Sequence, residues 1–216
     1  MAIRVRRART ADFDRIFEIE KRSYPPTLQA THDVLRYRYQ TFGIWVAQLD
    51  GRVVGFFTAV PVKMSWPRPD LRKMMRNRKP YYLPWFREYE RGGRFNTLLV
   101  TSSAVESRYQ RRGAGTALVK HSLRLARRAG LGYRASALRC QYGQFFRKTD
   151  GTIREYLARV LAGEIDDRFL SLYLKLGFTL GPPLPGYEPD PGSLDHTVFT
   201  YKRLGAPRSR GGGPAL

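Results

Sequence analysis

The run from Leu98 to Gly115 limits what this chain can fold into more than any other stretch. It begins Leu98-Leu-Val-Thr-Ser-Ser-Ala-Val105, an apolar, partly β-branched segment that reads as a buried strand. It closes on Gln110-Arg-Arg-Gly-Ala-Gly115, a basic turn with two glycines, and a helical pattern follows at once. Val119, Leu123 and Ala126 recur at the spacing of one buried helix face, flanked by Leu118, Ser122 and Leu125. A strand, a glycine turn and a helix N-terminus in this order make an anion site. Glycine lets the backbone approach closely, and the first-turn N–H groups lie at the positive end of the helix dipole. The pattern predicts a phosphate-bearing ligand.

Spacing narrows the class. No Gly-x-x-x-x-Gly-Lys-Ser/Thr run is present, and only Gly113-Ala-Gly115 is available for a Gly-x-Gly-x-x-Gly fingerprint. The loop resembles instead the pyrophosphate loop of the GNAT acyltransferase superfamily, Gln/Arg-x-x-Gly-x-Gly/Ala. Upstream, Ala104-Val-Glu-Ser-Arg-Tyr109 is similar to that family's Ala-Val-Asp-Pro-x-Tyr. A second match, Leu172-Tyr-Leu-Lys-Leu-Gly-Phe178, resembles its Phe/Leu-Tyr-x-x-Leu-Gly-Phe, where glycine ends a helix and the aromatic residue starts a strand. The resemblance implies an α/β (α+β) fold, a mixed central sheet of about six to seven strands flanked by helices.

It also implies a site. Main-chain groups of Gln110, Arg111, Arg112, Gly113, Ala114, Gly115 and Thr116 would hold the diphosphate of acetyl-CoA or another acyl-CoA. Ser103, Ala104 and Val105 would offer unpaired strand groups to its pantetheine amides, which add to a strand edge as another strand would. Tyr173 falls where many GNAT enzymes keep a general acid for the departing thiolate. A phenol of ordinary pKa, near ~10, stays protonated at neutral pH. The competing reading of Tyr173 is a core residue of an amphipathic helix. No metal is called for.

The implied reaction is N-acyl transfer, most simply acetyl to a primary amine by direct attack in a ternary complex. An acyl carrier protein or aminoacyl-tRNA as donor is one alternative, and a non-catalytic module that binds coenzyme A or RNA is another. No base can be chosen. The family's glutamate on the fifth strand is missing from Arg134-Ala-Ser-Ala-Leu-Arg139, and Asp166 stands where relatives often carry asparagine. Glu88, Glu90, Glu106, His196 and a water relay through Thr101 or Ser103 all stay open. His196 beside Asp195 is a weak dyad, since strand neighbours point to opposite faces.

The rest of the chain fits this order. Ile3–Ala8 reads as an edge strand, Thr10–Arg22 as a capped helix ended by Pro25-Pro26, and His32–Gln40 as a second helix. Asp50-Gly51 between two β-rich runs predicts a hairpin. Residues 63–94 form a basic aromatic insertion between the third and fourth strands. It carries ten Lys/Arg against three acids, with Trp66, Tyr81, Tyr82, Trp85, Phe86 and Tyr89. This is a lid, a docking surface for an acidic partner such as a carrier protein or RNA, or a structural excursion. Tyr133–Leu138, Ile153–Leu161, Arg168–Leu176 and His196–Lys202 read as strand, helix, helix and strand. The segment 141–151 reads as a polar interval, and 181–186 and 189–192 read as loops.

At 216 residues the chain suits a single domain, 1–204, with a disordered tail over 205–216. The net charge of +21 is rich in arginine and fits either solubility or an acidic partner. One cysteine, Cys140, excludes an internal disulfide and reads as a small buried hydrophobe. Without an apolar run of membrane-spanning length or a signal-like N-terminus, the expectation is a cytoplasmic protein with no membrane partner. The exposed first strand and the aromatic insertion leave room for a homodimer.

Overall fold

The computed structural model describes residues 2–26, 28–71 and 94–205. Most of the basic aromatic insertion, with Glu88 and Glu90, and nearly all of the expected disordered tail lie outside them. Seven strands form a mixed sheet in the order β1-β2-β3-β4-β5-β7-β6. They are β1 (Ile3–Arg7), β2 (Ile44–Leu49), β3 (Arg52–Val62), β4 (Thr97–Val105), β5 (Tyr133–Arg139), β6 (Thr179–Pro185) and β7 (His196–Arg203). The helices are α1 (Phe13–Ser23), α2 (His32–Thr41), α3 (Ala114–Arg128), α4 (Tyr142–Thr149), α5 (Ile153–Ala162) and α6 (Leu170–Lys175). The chain divides into two compact units, one of residues 2–70, 94–134 and 203–205, the other essentially Ala135–Lys202.

In the first unit β1, β2, β3 and β4 pair antiparallel in sequence order. The hairpin turns on Asp50 (φ 48°) and Gly51 (φ 78°), the left-handed pair that a two-residue primed turn requires. Strand alternation then serves two cores. Trp45, Ala47, Phe57, Leu98 and Val100 pack with Ala114, Leu118 and Ala126 of α3. Ile44, Val46, Val53, Phe56 and Ala104 pack with Ile16, Ile19 and Leu35 of α1 and α2. The sheet is buried on both faces, which is why these strands read as continuous apolar runs. Asn96 brackets the start of the insertion, accepting from the Met64 N–H at 3.0 Å and donating to its carbonyl at 2.8 Å. Trp66 stacks on Tyr133 with 3.9 Å between ring centres.

In the second unit a core of Cys140, Tyr142, Tyr156, Leu157, Val160, Leu170 and Val198 gathers β5, α4, α5, α6 and β7. Two of its elements depart from expectation. The segment 141–151 holds α4, and the proline-rich run expected as a loop over 181–186 is largely strand β6, paired antiparallel with β7. No helix among the described residues is long and apolar enough to cross a membrane.

Candidate functional site: the end of the fourth strand and its loop

The end of β4 and the turn into α3 are shaped by backbone requirements. Gly55 on β3 lies opposite Val105, and a Cβ there would sit 2.7 Å from the Ala104 carbonyl oxygen. Glycine at 55 is what lets β3 and the last residues of β4 approach. A short 3₁₀ turn, Ser107–Tyr109, follows β4, and the chain then takes up left-handed conformations at Arg111 (φ 60°) and Gly113 (φ 86°). The Ala117 N–H makes the first helical bond to the Gly113 carbonyl at 2.9 Å. N–H groups of Ala114, Gly115 and Thr116 therefore stand ahead of the helical ladder at the positive end of α3. Arg111, Arg112 and Gly113 are exposed.

Glu106 anchors this turn. Its carboxylate is buried and accepts from Arg15 of α1, from Arg22 Nη1 at 3.2 Å and from Arg108 Nε at 2.9 Å. The acidic residue at this position shapes the loop by gathering three cations, two of them from a helix more than 80 residues earlier in the chain. Tyr109 completes the turn, with the Arg108 and Arg112 guanidinium carbons 5.0 and 5.8 Å from its ring centre.

The main-chain groups near the end of β4 that turn away from β3 are met by the protein's own side chains. Ser103 pairs with Phe57 across β3, yet its N–H and C=O turn the other way and bond the Tyr24 hydroxyl at 3.1 and 2.9 Å. The Val105 carbonyl accepts from Gln110 Nε2 at 2.9 Å. Strand groups expected to be unpaired are thus held, in the protein alone, by a tyrosine and a glutamine. Deeper in the strand, the register shifts between Thr58 and Ala59 of β3, which leaves Thr101 as an extra residue on β4. The Thr101 and Thr58 hydroxyls lie 2.8 Å apart. Ser102 Oγ lies 3.3 Å from Glu20 Oε2 and from the Tyr24 hydroxyl.

All ten expected coenzyme-binding residues, Ser103, Ala104, Val105 and Gln110 to Thr116, fall in the first unit on this one strand, turn and helix start. Tyr173 lies in the second unit on α6. It is 5% exposed, and its ring packs on Phe178 at 4.7 Å. Asp167, fully buried, sets the start of α6 by accepting from the Phe169 and Leu170 N–H groups, both at 2.8 Å. It also accepts from the Gln141 N–H at 2.7 Å and from the Tyr156 hydroxyl. Burial, then the Asp167 hydrogen bond, push the Tyr156 phenol upward.

The other acid–base candidates resolve into structural roles or exposure. His196 Nδ1 sits 2.6 Å from the Leu194 carbonyl, and Asp195 Oδ1 accepts from the Asp190 N–H at 2.7 Å. Asp166 is exposed, 4.0 Å from Lys175. Cys140 is buried, and burial pushes its thiol up to about 12, which fits the hydrophobe reading. Among the described residues, no group of three His, Cys, Asp or Glu side chains is placed to hold a metal ion. Sequence reasoning missed Tyr24, Arg15, Arg22 and Gly55, since each acts through a partner far along the chain.

With this geometry in hand, known proteins give the relationship. The family model for the acetyltransferase (GNAT) family matches residues 13–145, more than half of the chain. The chain belongs to the GNAT acetyltransferase family. Solved structures share the fold at low identity. The GphF GNAT-like decarboxylase in complex with isobutyryl-CoA is 24% identical over 93% of this chain and 99% of that one, with a TM-score of 0.76. The loading GNATL domain of CurA from Lyngbya majuscula is 16% identical over 94% and 98%, with a TM-score of 0.75. A GNAT superfamily phosphinothricin acetyltransferase from Sinorhizobium meliloti, in complex with acetyl-CoA, is 16% identical over 95% and 90%, at 0.59. No curated protein matches the chain.

Proposed function

We propose that this GNAT protein is an acyl-CoA-dependent acyltransferase that works by direct transfer in a ternary complex. The observation that carries the reading is the left-handed turn at Arg111 and Gly113, which leaves the first N–H groups of α3 ahead of the helical ladder, next in the chain to the end of β4. A diphosphate suits the first feature and a pantetheine arm the second. The bound acyl-CoAs in two of the similar structures support the same donor. Acetyl transfer to a primary amine is the simplest reaction, with Tyr173 as the acid that protonates the coenzyme thiolate. Tyr173→Phe should then lower turnover far more than coenzyme affinity.

A second reading is favoured by a specific observation. The two structures of highest TM-score reported above, 0.76 and 0.75, are a GNAT-like decarboxylase and a loading domain, whereas the phosphinothricin acetyltransferase stands at 0.59. In this reading the donor is a carboxyacyl-CoA. The bond from its α-carbon to the carboxylate breaks, the electron pair enters the thioester as an enolate, carbon dioxide leaves, and a proton adds at the α-carbon. The thiol of an acidic carrier protein, which a net charge of +21 would attract, then attacks the thioester carbonyl, the coenzyme sulfur–carbon bond breaks, and coenzyme A leaves with the proton that the carrier thiol gives up. The similarity weighs towards this reading, and the amine reading remains the direct competitor.

One experiment separates them. The protein is incubated with acetyl-CoA or malonyl-CoA, alone, with an amine panel, and with a phosphopantetheinylated carrier protein. Thiol release and product mass are followed. Loss of carbon dioxide from malonyl-CoA with acyl transfer to the carrier establishes the second reading. Thiol release only with an amine establishes the first. Binding of coenzyme A without turnover under any condition sinks both.

A further inference from the structure

The Tyr24 hydroxyl is the feature that the reading above does not absorb. Tyr24 ends α1 in an extended conformation (φ −123°, ψ 145°), with Pro25-Pro26 next, so the chain turns away and the ring stays behind. Gln29 fastens this turn, its Nε2 donating to the Tyr24 carbonyl at 2.7 Å and to the Lys21 carbonyl at 3.0 Å. The ring packs on the core shared by α1, α2 and the sheet. A phenol held this way presents its hydroxyl at a fixed place. That place is β4.

A hydroxyl has one hydrogen to give and lone pairs to accept with. Tyr24 uses both on one residue, accepting from the Ser103 N–H at 3.1 Å and donating to the Ser103 carbonyl at 2.9 Å. Two successive amides of an extended ligand would make the same two bonds at that point, the C=O of one and the N–H of the other exchanged with a single strand residue. The Glu106 N–H bonds the Val54 carbonyl of β3, so the Val105 carbonyl of the same peptide group faces the other way, on the edge that Ser103 uses, where Gln110 Nε2 takes it. The two strand positions that would face a ligand arm are therefore filled by side chains, with Tyr24 donating and accepting where two successive amides of the arm would.

We propose that Tyr24 is a place-holder for the acyl-pantetheine arm: in the free protein its hydroxyl occupies the Ser103 main-chain groups, and donor binding displaces it. This rests on the acyl-CoA reading above and adds a positioning residue to it. The device keeps the strand edge satisfied, where an open edge would be a liability. It also lowers apparent donor affinity, because two hydrogen bonds must be exchanged before the arm can pair. Released from Ser103, the hydroxyl stays within reach of Ser102 Oγ, 3.3 Å away.

The test compares the wild type with Tyr24→Phe, which keeps the ring and removes the hydroxyl. Calorimetric titrations use coenzyme A and adenosine 3′,5′-bisphosphate, a probe that lacks the pantetheine arm. Expected is coenzyme A binding about three- to tenfold tighter in the variant, with bisphosphate affinity unchanged. Tyr24→Leu, which removes the hydroxyl by another route, should repeat the gain if the phenylalanine variant folds poorly. Independently of any ligand, amide exchange at Ser103 should be faster in the variants. Equal or weaker coenzyme A binding in both variants, or unchanged Ser103 exchange, overturns the place-holder role while the acyl-CoA reading survives. A wild type that binds no coenzyme A overturns that reading and the place-holder role together.

Discussion

Two buried carboxylates organise the two halves of this protein in opposite ways. Glu106 in the first unit is met by three guanidinium groups, of which Arg22 and Arg108 are 61% and 51% exposed. Asp167 in the second unit is met by neutral donors, three main-chain N–H groups and the Tyr156 hydroxyl. Charge satisfied by charge at the surface is adjustable, because each cation can swing into water alone. Charge satisfied by backbone donors around a buried carboxylate is not, because main-chain groups held by the fold cannot swing away singly. The turn that reads as the coenzyme site has the adjustable anchor, and the helix carrying Tyr173 has the fixed one.

The largest effect should come from Asp167→Ala. It strands four donors at once, two of them buried, the Leu170 N–H and the Tyr156 hydroxyl, and a loss of about 3–5 kcal/mol in urea unfolding is expected. Added salt should leave that loss unchanged, since no surface ion pair is involved. Glu106→Ala should cost about 2 kcal/mol, mainly by removing the buried partner of Arg15, whose guanidinium keeps Glu18 and the Val53 carbonyl, and should weaken coenzyme A binding. Its cost should shrink as salt is raised. Equal salt sensitivity of the two variants would erase the distinction between the anchors.

A third carboxylate sharpens the point through pH. Asp12 accepts from Arg6 Nη1 at 2.6 Å, Arg6 Nη2 at 2.9 Å and the Arg9 N–H at 2.7 Å. The Arg6 hydrogen bonds hold its carboxyl below the ordinary carboxylate range, against the opposing pull of burial. A depressed native pKa means that the stability it contributes is complete above the unfolded value and is lost as pH falls through the native one. Asp12→Asn should therefore be less stable near neutrality and show a flatter decline as pH falls from about 5 through the lowered native value. A variant that parallels the wild type down to the acid end would remove Asp12 from the acid response.

What the sequence made legible divides along similar lines. The turn at Gln110 to Gly115 and the strand before it were readable because their signals are local: a glycine at a left-handed position, an apolar run and a helical period. The α4 helix was not, because Gly143 looks like a breaker. In the structure a Cβ there would lie 2.6 Å from the Gly192 carbonyl oxygen, so the glycine answers to a close approach by another segment. Strand β6 was hidden by Pro182, Pro183 and Pro185, yet it ends the strand order, where a missing N–H costs little. The Tyr24 contact was illegible for a third reason. It joins residues 79 apart through a hydroxyl, and neither period nor propensity encodes such a pair.

The smallest predicted effects test the adjustable anchor itself. Arg22→Ala and Arg108→Ala remove partners that are more than half exposed, and each should cost well under about 1 kcal/mol, as surface ion pairs do. If the cations substitute for one another around Glu106, the double variant should lose more than the two single losses added together, because Arg15 is then the last guanidinium on a buried carboxylate. If each pair acts alone, the losses simply add. A double-mutant cycle by urea unfolding, run at low and high salt, reads the difference directly. Additivity at both salt concentrations would mean that Arg22 and Arg108 each act on Glu106 independently, without substituting for one another, and the adjustable character of this anchor would fall.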